Sequence, residues 1–162
     1  MNICILRHGT AEDRSPGVAE EGRRLTKEGR RELKMVLRQA RAAGVTPNLI
    51  LTSPLIRAVE TAAMARDALA CNRVVETKAL LPDIAPAQVW REIRAQQGMK
   101  EIMLVGHEPQ LSRIASFLLE SPLVVDLKKG ALLRLRVQDR PGPPRGVLKW
   151  LLTPKLAGAT RS

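Results

Sequence analysis

Aromatic side chains are almost missing from this chain: one phenylalanine, two tryptophans and no tyrosine in 162 residues. Single-stranded nucleic acid is gripped by stacking bases on exposed aromatics, so nucleic acid is not an expected partner. Cysteine occurs twice, as Cys4 and Cys71, at no metal-binding or redox spacing. Cys4 is expected to pack as a small hydrophobe in a first strand. No apolar run approaches the roughly 20 residues that cross a bilayer, and Ile3 to Leu6 is too short for a signal-peptide core. The reduced cytoplasm is the expected compartment, with no membrane partner. Acidic residues are also scarce, 16 against 27 Lys and Arg, for a net charge of +11. Such a balance attracts anions such as phosphate or an acidic protein, although a solvated, Arg-rich surface accounts for it equally well.

What remains is an ordinary globular composition, 44% apolar and 27% charged, in a length that fits one domain. Asn2 to Leu6 reads as a buried strand and Gly9 to Leu25 as a polar loop. Thr26 can cap a helix that runs to about Ala43 and stops at Gly44. Its apolar stripe is Leu33, Val36, Leu37 and Ala40, and its arginines and lysines fall largely off that stripe. Asn48 to Thr52 is a second strand. Ser53-Pro54 then predicts a helix start, serine as N-cap and proline at N1, continuing to about Ala70.

Val74 and Val75 mark a short third strand, Leu80 to Asp83 a turn, and Pro86 to about Gln97 a helix. Glu101 to Val105 is a further strand, followed by a helix from Pro109 to Leu119. Ala131 to Val137 and Val147 to Leu152 alternate as two late strands, joined by a turn over Asp139 to Gly146. Strands alternating with helices predict a single-domain, three-layer α/β/α sandwich with a mainly parallel sheet, made mixed by the late pair. Trp90 and Trp150 are expected in packing roles. The chain shows no internal repeat and no low-complexity segment.

Only two histidines occur, and each stands where an apolar strand ends. His8 lies in Arg7-His8-Gly9 and His107 in Gly106-His107-Glu108-Pro109. The neighbouring glycines are expected to let backbone crowd a ligand. Ligands of parallel sheets bind beyond the carboxyl ends of strands, so one crevice can collect His8, Ser53 and His107. Phosphoryl transfer needs a nucleophile in line and positive charge around the equatorial oxygens. A neutral imidazole is a competent nucleophile, and an arginine fork matches phosphate bidentately. Arg7 adjoins His8, and Arg57 falls early in the second helix, near the positive end of its dipole. Guanidiniums nearby disfavour the imidazolium, so a reactive His8 is expected to be neutral at pH 7. Glu60 is expected to hold Arg57, and Ser53 to act as a cap.

Arg7-His8-Gly9, the block from Ser53 to Ala58 with Glu60-Thr61, and Gly106-His107-Glu108-Pro109 resemble the three signature blocks of the histidine phosphatase (phosphoglycerate mutase-like) superfamily. The short length, Leu25-Thr26, Leu81-Pro82-Asp83 and the closing stretch from Trp150 to Leu156 are similar to SixA-type phosphohistidine phosphatases. The resemblance implies a single histidine phosphatase domain over residues 1–162 and a phosphoglycerate mutase-like fold. It implies a metal-independent phosphatase without cofactor. His8 would be the phosphorylated nucleophile, and Arg7, Arg57 and His107 would complete the phosphate pocket. The general acid would be Asp83 or its competitor Glu108. The implied substrate is phosphohistidine on a protein such as a phosphotransfer domain in signalling. A small phosphorylated metabolite is the alternative, and a non-catalytic phosphate-binding module the third possibility.

Overall fold

The two most continuous apolar runs of the chain become its central strands. In the computed structural model, which describes residues 1–138 and 140–159, β1 (Asn2–Arg7) and β4 (Glu101–Gly106) pair in parallel, Ile3 opposite Ile102 and Arg7 opposite Gly106. Parallel strands covered on both faces need apolar side chains on both, and Ile3 to Leu6 and Ile102 to Val105 are all fully buried. Four further strands complete a sheet of order β3-β2-β4-β1-β5-β6. These are β2 (Leu49–Thr52), β3 (Val74–Glu76), β5 (Leu132–Val137) and β6 (Gly146–Leu152). β2 and β3 join parallel, whereas β5 and β6 join as an antiparallel pair beside β1.

Alternation along the strands divides the core into two. Ile3, Ile5, Ile102 and Leu104 face α3 (Pro86–Ala95) and α4 (Gln110–Leu119). Cys4, Leu6, Met103 and Val105 face α1 (Lys27–Ala42) and α2 (Ile56–Leu69), with Ala157 of the short α5 (Pro154–Ala159) in the same cluster. The architecture is the three-layer, mainly parallel sandwich that the strand–helix alternation predicts. Trp90 is buried and Trp150 packs at the core's margin. Among the described residues no helix is long and apolar enough to cross a membrane.

α1 starts where expected: Thr26 Oγ1 accepts the N–H of Gly29 at 3.0 Å. Its first turn lies hard against the loop after β1. A Cβ on Gly29 would meet the Thr10 carbonyl oxygen at 2.2 Å, so only glycine fits that crossing. The expected start of α2 is corrected. The helix begins at Ile56 with Leu55 at the N-cap position, and Ser53-Pro54 forms the turn before it. Three elements were not expected, one of them a 3-10 turn at Lys78–Leu80. The loop from Gly9 to Leu25 contains a 3-10 turn, Glu20–Gly22, and an Ala11–Leu25 bridge. α5 is too short to carry a readable helical period. Of the turn expected between the last strands, Asp139 lies outside the described residues.

Candidate active site at the carboxyl edge of the sheet

β1, β2 and β4 end side by side, which brings Arg7-His8, Ser53 and His107 together as the topology requires. The His8 N–H donates to the Gly106 carbonyl at 3.1 Å, and the Ser53 N–H to Val105 at 3.0 Å. The imidazoles of His8 and His107 lie 5.1 Å apart between centroids, tilted by 52°. Both rings are buried, His8 at 6% and His107 at 3% exposure.

Their hydrogen bonds make the two rings chemically unequal. Nδ1 of His8 lies 2.7 Å from the Gly9 carbonyl oxygen. A carbonyl only accepts, so Nδ1 carries the proton and Nε2 of the neutral ring keeps its lone pair free. His107 is held at the other nitrogen: its Nε2 lies 2.7 Å from Ser53 Oγ. That hydroxyl accepts the Leu55 N–H at 3.3 Å, and toward Nε2 a serine hydroxyl can either donate its proton or accept one. His107 Nδ1, on the other side of the ring, has no partner within the protein. One ring is held through Nδ1 and leaves Nε2 free, and the other is held through Nε2 and leaves Nδ1 free.

Burial is the main cause of low basicity in both. It lowers His8 from an ordinary value of 6.5 to about 4, partly opposed by the Gly9 bond and helped by Arg57, Arg7 and Lys129. Burial likewise takes His107 to about 3, with the charges of His8, Arg57 and Arg7 adding to it. The expectation of a neutral His8 at pH 7 holds, and desolvation exceeds the guanidinium charges as its cause.

Arg7 donates through Nη1 to the Leu127 carbonyl at 2.9 Å. Arg57 donates through Nη1 to the Glu20 carbonyl at 2.9 Å and pairs through Nη2 with the Glu20 carboxylate at 3.1 Å. Nε of each arginine is buried without a partner. Glu60 does not hold Arg57. It pairs with Arg24 and Arg30, both at 3.0 Å, and accepts the Leu25 N–H. Glu20, thirty-seven positions before Arg57, takes that place; no local spacing announces a contact made by a long loop folding back.

The glycines beside the histidines also have a different purpose from the one expected. A Cβ on Gly9 would stand 2.7 Å from Leu33 Cδ1, and one on Gly106 would stand 3.2 Å from Leu111 Cδ2. They admit α1 and α4 to the strand ends rather than a ligand. Ser53 is a partner of His107 rather than a helix cap.

The two candidate acids differ in their commitments. Glu108 receives the Ser112 N–H at 3.1 Å on one oxygen and the Ser112 hydroxyl on the other, so it completes the first turn of α4. Its charge also supports that of Arg7, which burial weakens. Asp83 is exposed on the turn after the 3-10 segment Lys78–Leu80 and makes no ion pair or hydrogen bond among the described residues. A fully buried residue that the sequence did not single out fixes that turn. Gln110 donates its amide to the carbonyls of Ala79 at 2.7 Å and Ile84 at 3.0 Å. It thereby ties the Asp83 turn to the helix that follows His107.

Comparison with known proteins places the family and the fold. The model of the histidine phosphatase superfamily (branch 1) matches residues 3–84. An uncharacterized protein of Picosynechococcus sp. is 29% identical over 144 residues, 84% of this chain and 85% of that one. The protein histidine phosphatase SixA, solved with tungstate, superposes with a TM-score of 0.84 at 21% identity, over 96% of this chain and 98% of that one. A mycobacterial glucosyl-3-phosphoglycerate phosphatase superposes with a TM-score of 0.69 at 17% identity, over 91% and 96%. The chain belongs to the histidine phosphatase superfamily and is a phosphatase of the kind that needs no metal.

Proposed function

We propose that the protein hydrolyses phosphohistidine on a protein through a phosphorylated His8, with residues 1–162 acting as one catalytic domain in the cytoplasm. The observation that supports the mechanism is the opposite anchoring of the two buried rings. His8 Nδ1 is held by the Gly9 carbonyl, which frees Nε2, and His107 Nε2 is held by Ser53, which frees Nδ1. His8 Nε2 attacks phosphorus, and the bond from phosphorus to the leaving nitrogen or oxygen breaks. Arg7, Arg57 and Nδ1 of His107 hold the phosphoryl oxygens as charge redistributes. Asp83, uncommitted on its exposed turn, gives a proton to the leaving group and then takes one from the water that attacks phosphorus. That second step returns the electron pair to His8 Nε2 and releases inorganic phosphate. Glu108, with both oxygens engaged by Ser112, supports Arg7 instead.

A protein-borne substrate is favoured by the fold's resemblance to SixA and by short connections around the site. The stretch from Thr61 to Glu101 adds only a short strand, a 3-10 turn and α3 beyond α2, and the basic surface suits an acidic partner. Side-by-side turnover of a phosphohistidine protein and a panel of sugar and nucleotide monophosphates tests the choice. A higher kcat/KM for the phosphoprotein is expected, and a strong preference for a metabolite overturns it.

A further inference from the structure

Arg7 also lines a groove of about 560 Å³. Thr10, Lys128, Lys129 and Lys155 of α5 line it too, and Glu32 supplies the one carboxylate. The lysine-bearing turn is stapled to the strand that carries His8. The Gly130 N–H donates to the His8 carbonyl at 3.0 Å, the Arg7 N–H donates to Ala131 at 3.1 Å, and the Arg7 side chain bonds Leu127. Lys128 is matched by Asp126 at 2.7 Å. Lys129 and Lys155 form no salt bridge among the described residues and are exposed. Two lysines from separate elements thus line one groove that shares an arginine with the phosphate site. Four cationic side chains (Arg7, Lys128, Lys129, Lys155) face the single lining carboxylate of Glu32 there, a balance that attracts anions. Lys129 is close enough for its charge to bear on His8.

We propose that this groove is the subsite for a second anionic group on the substrate, a carboxylate or a phosphate, held by Lys129 and Lys155 while Arg7 holds the reacting phosphoryl group. The inference rests on the phosphatase reading and adds its specificity: the enzyme selects phosphorylated substrates with a neighbouring negative charge. A groove of this size lies within the range of small-ligand sites, so it takes a sugar phosphate or the acidic side chains flanking a phosphorylated residue.

The test compares two matched pairs of substrates. One is a phosphohistidine peptide flanked by aspartates against the same peptide flanked by asparagines; the other is a sugar bisphosphate against its monophosphate. The native enzyme is expected to prefer the more anionic member of at least one pair by about tenfold, through KM, and preference in the peptide pair alone or the sugar pair alone names the source of the charge. Lys129→Gln/Lys155→Gln should remove most of that preference. The subsite is overturned if neither pair is discriminated, if the preference survives the double substitution, or if all four substrates weaken equally. The same pairs are titrated calorimetrically onto His8→Ala, with and without the lysine substitutions, which reads charge preference without turnover. Absence of turnover by the native enzyme then overturns the phosphatase reading, and absence of charge preference in binding overturns the subsite.

Discussion

The two ends of the β1–β4 strand pair both bury charge, and they treat it differently. At the amino end Glu101, 3% exposed, is closed on all sides. It pairs with Arg134 at 2.8 Å, accepts the Thr46 N–H at 2.8 Å and receives the Cys4 thiol at 3.5 Å. Arg134 continues to the carbonyls of Ala43 and Gly44, joining the end of α1 to the sheet. At the carboxyl end, Arg7 and Arg57 are held by main-chain carbonyls, His107 Nδ1 has no partner, and Glu20 is the one carboxylate paired with Arg57. Each end keeps a buried arginine Nε without a partner, but at the amino end the one arginine is matched by the buried Glu101. At the carboxyl end two arginines and an open histidine nitrogen share the single half-exposed carboxylate of Glu20, a surplus of donors that suits an anion.

That difference breaks most sharply at His8. His8→Ala should lower turnover of nitrophenyl phosphate by about 10⁴-fold or more, as expected when a covalent nucleophile is lost, while the folded state persists by circular dichroism. The same variant should be less acid-sensitive. In the native protein the unfolded chain takes up the His8 proton near pH 6.5 and the folded one only near pH 4, so stability falls as pH drops through that interval. Each such histidine contributes up to about 1.4 kcal/mol per pH unit, and urea unfolding at pH 7 and pH 5 should show a smaller loss in His8→Ala. An equal loss would mean that the ring is not buried neutral.

The amino end should respond in the opposite way. Glu101→Gln leaves the half-buried Arg134 without its counter-charge. A loss of unfolding free energy at or below the low end of the range for a fully buried pair, about 3–5 kcal/mol, is expected, with kcat/KM per folded molecule unchanged. Unchanged stability would remove the distinction between the two ends.

Glu20→Gln is the mildest and most informative change. The pair joins a half-exposed Glu20 to a buried Arg57 that keeps its bond to the Glu20 main-chain carbonyl, so the loss should stay near about 1 kcal/mol, the upper end for exposed pairs. Inorganic phosphate should inhibit the variant more strongly, by a few-fold, because the Arg57 fork loses a competing carboxylate. Weaker inhibition would show that Glu20 orients Arg57 instead.

Much of this was legible in the sequence for identifiable reasons. The runs from Ile3 to Leu6 and Ile102 to Val105 are apolar on both faces, which only central parallel strands require. Thr26 and the Leu33-Val36-Leu37-Ala40 stripe declared α1. His8, Arg7, Arg57 and His107 follow strand ends or begin a helix, so topology alone brought them to one crevice. The contacts that tune them were not legible. Glu20 reaches Arg57 across a loop, Gln110 reaches Ala79 and Ile84 across a helix start, and the lysines of the groove come from a turn and a short terminal helix. None shares a local period with its partner. The glycines misled because a missing Cβ signals close approach without saying by what; here α1 and α4 do the approaching.

The central claim is that His8 attacks and His107 holds. Rapid mixing with saturating nitrophenyl phosphate, an alkaline quench and mass mapping of the two histidine peptides measures it directly. A phosphoryl group on His8 and none on His107, with a nitrophenolate burst stoichiometric with enzyme, is predicted. Phosphorylation of His107, or steady turnover with neither histidine phosphorylated, would contradict it.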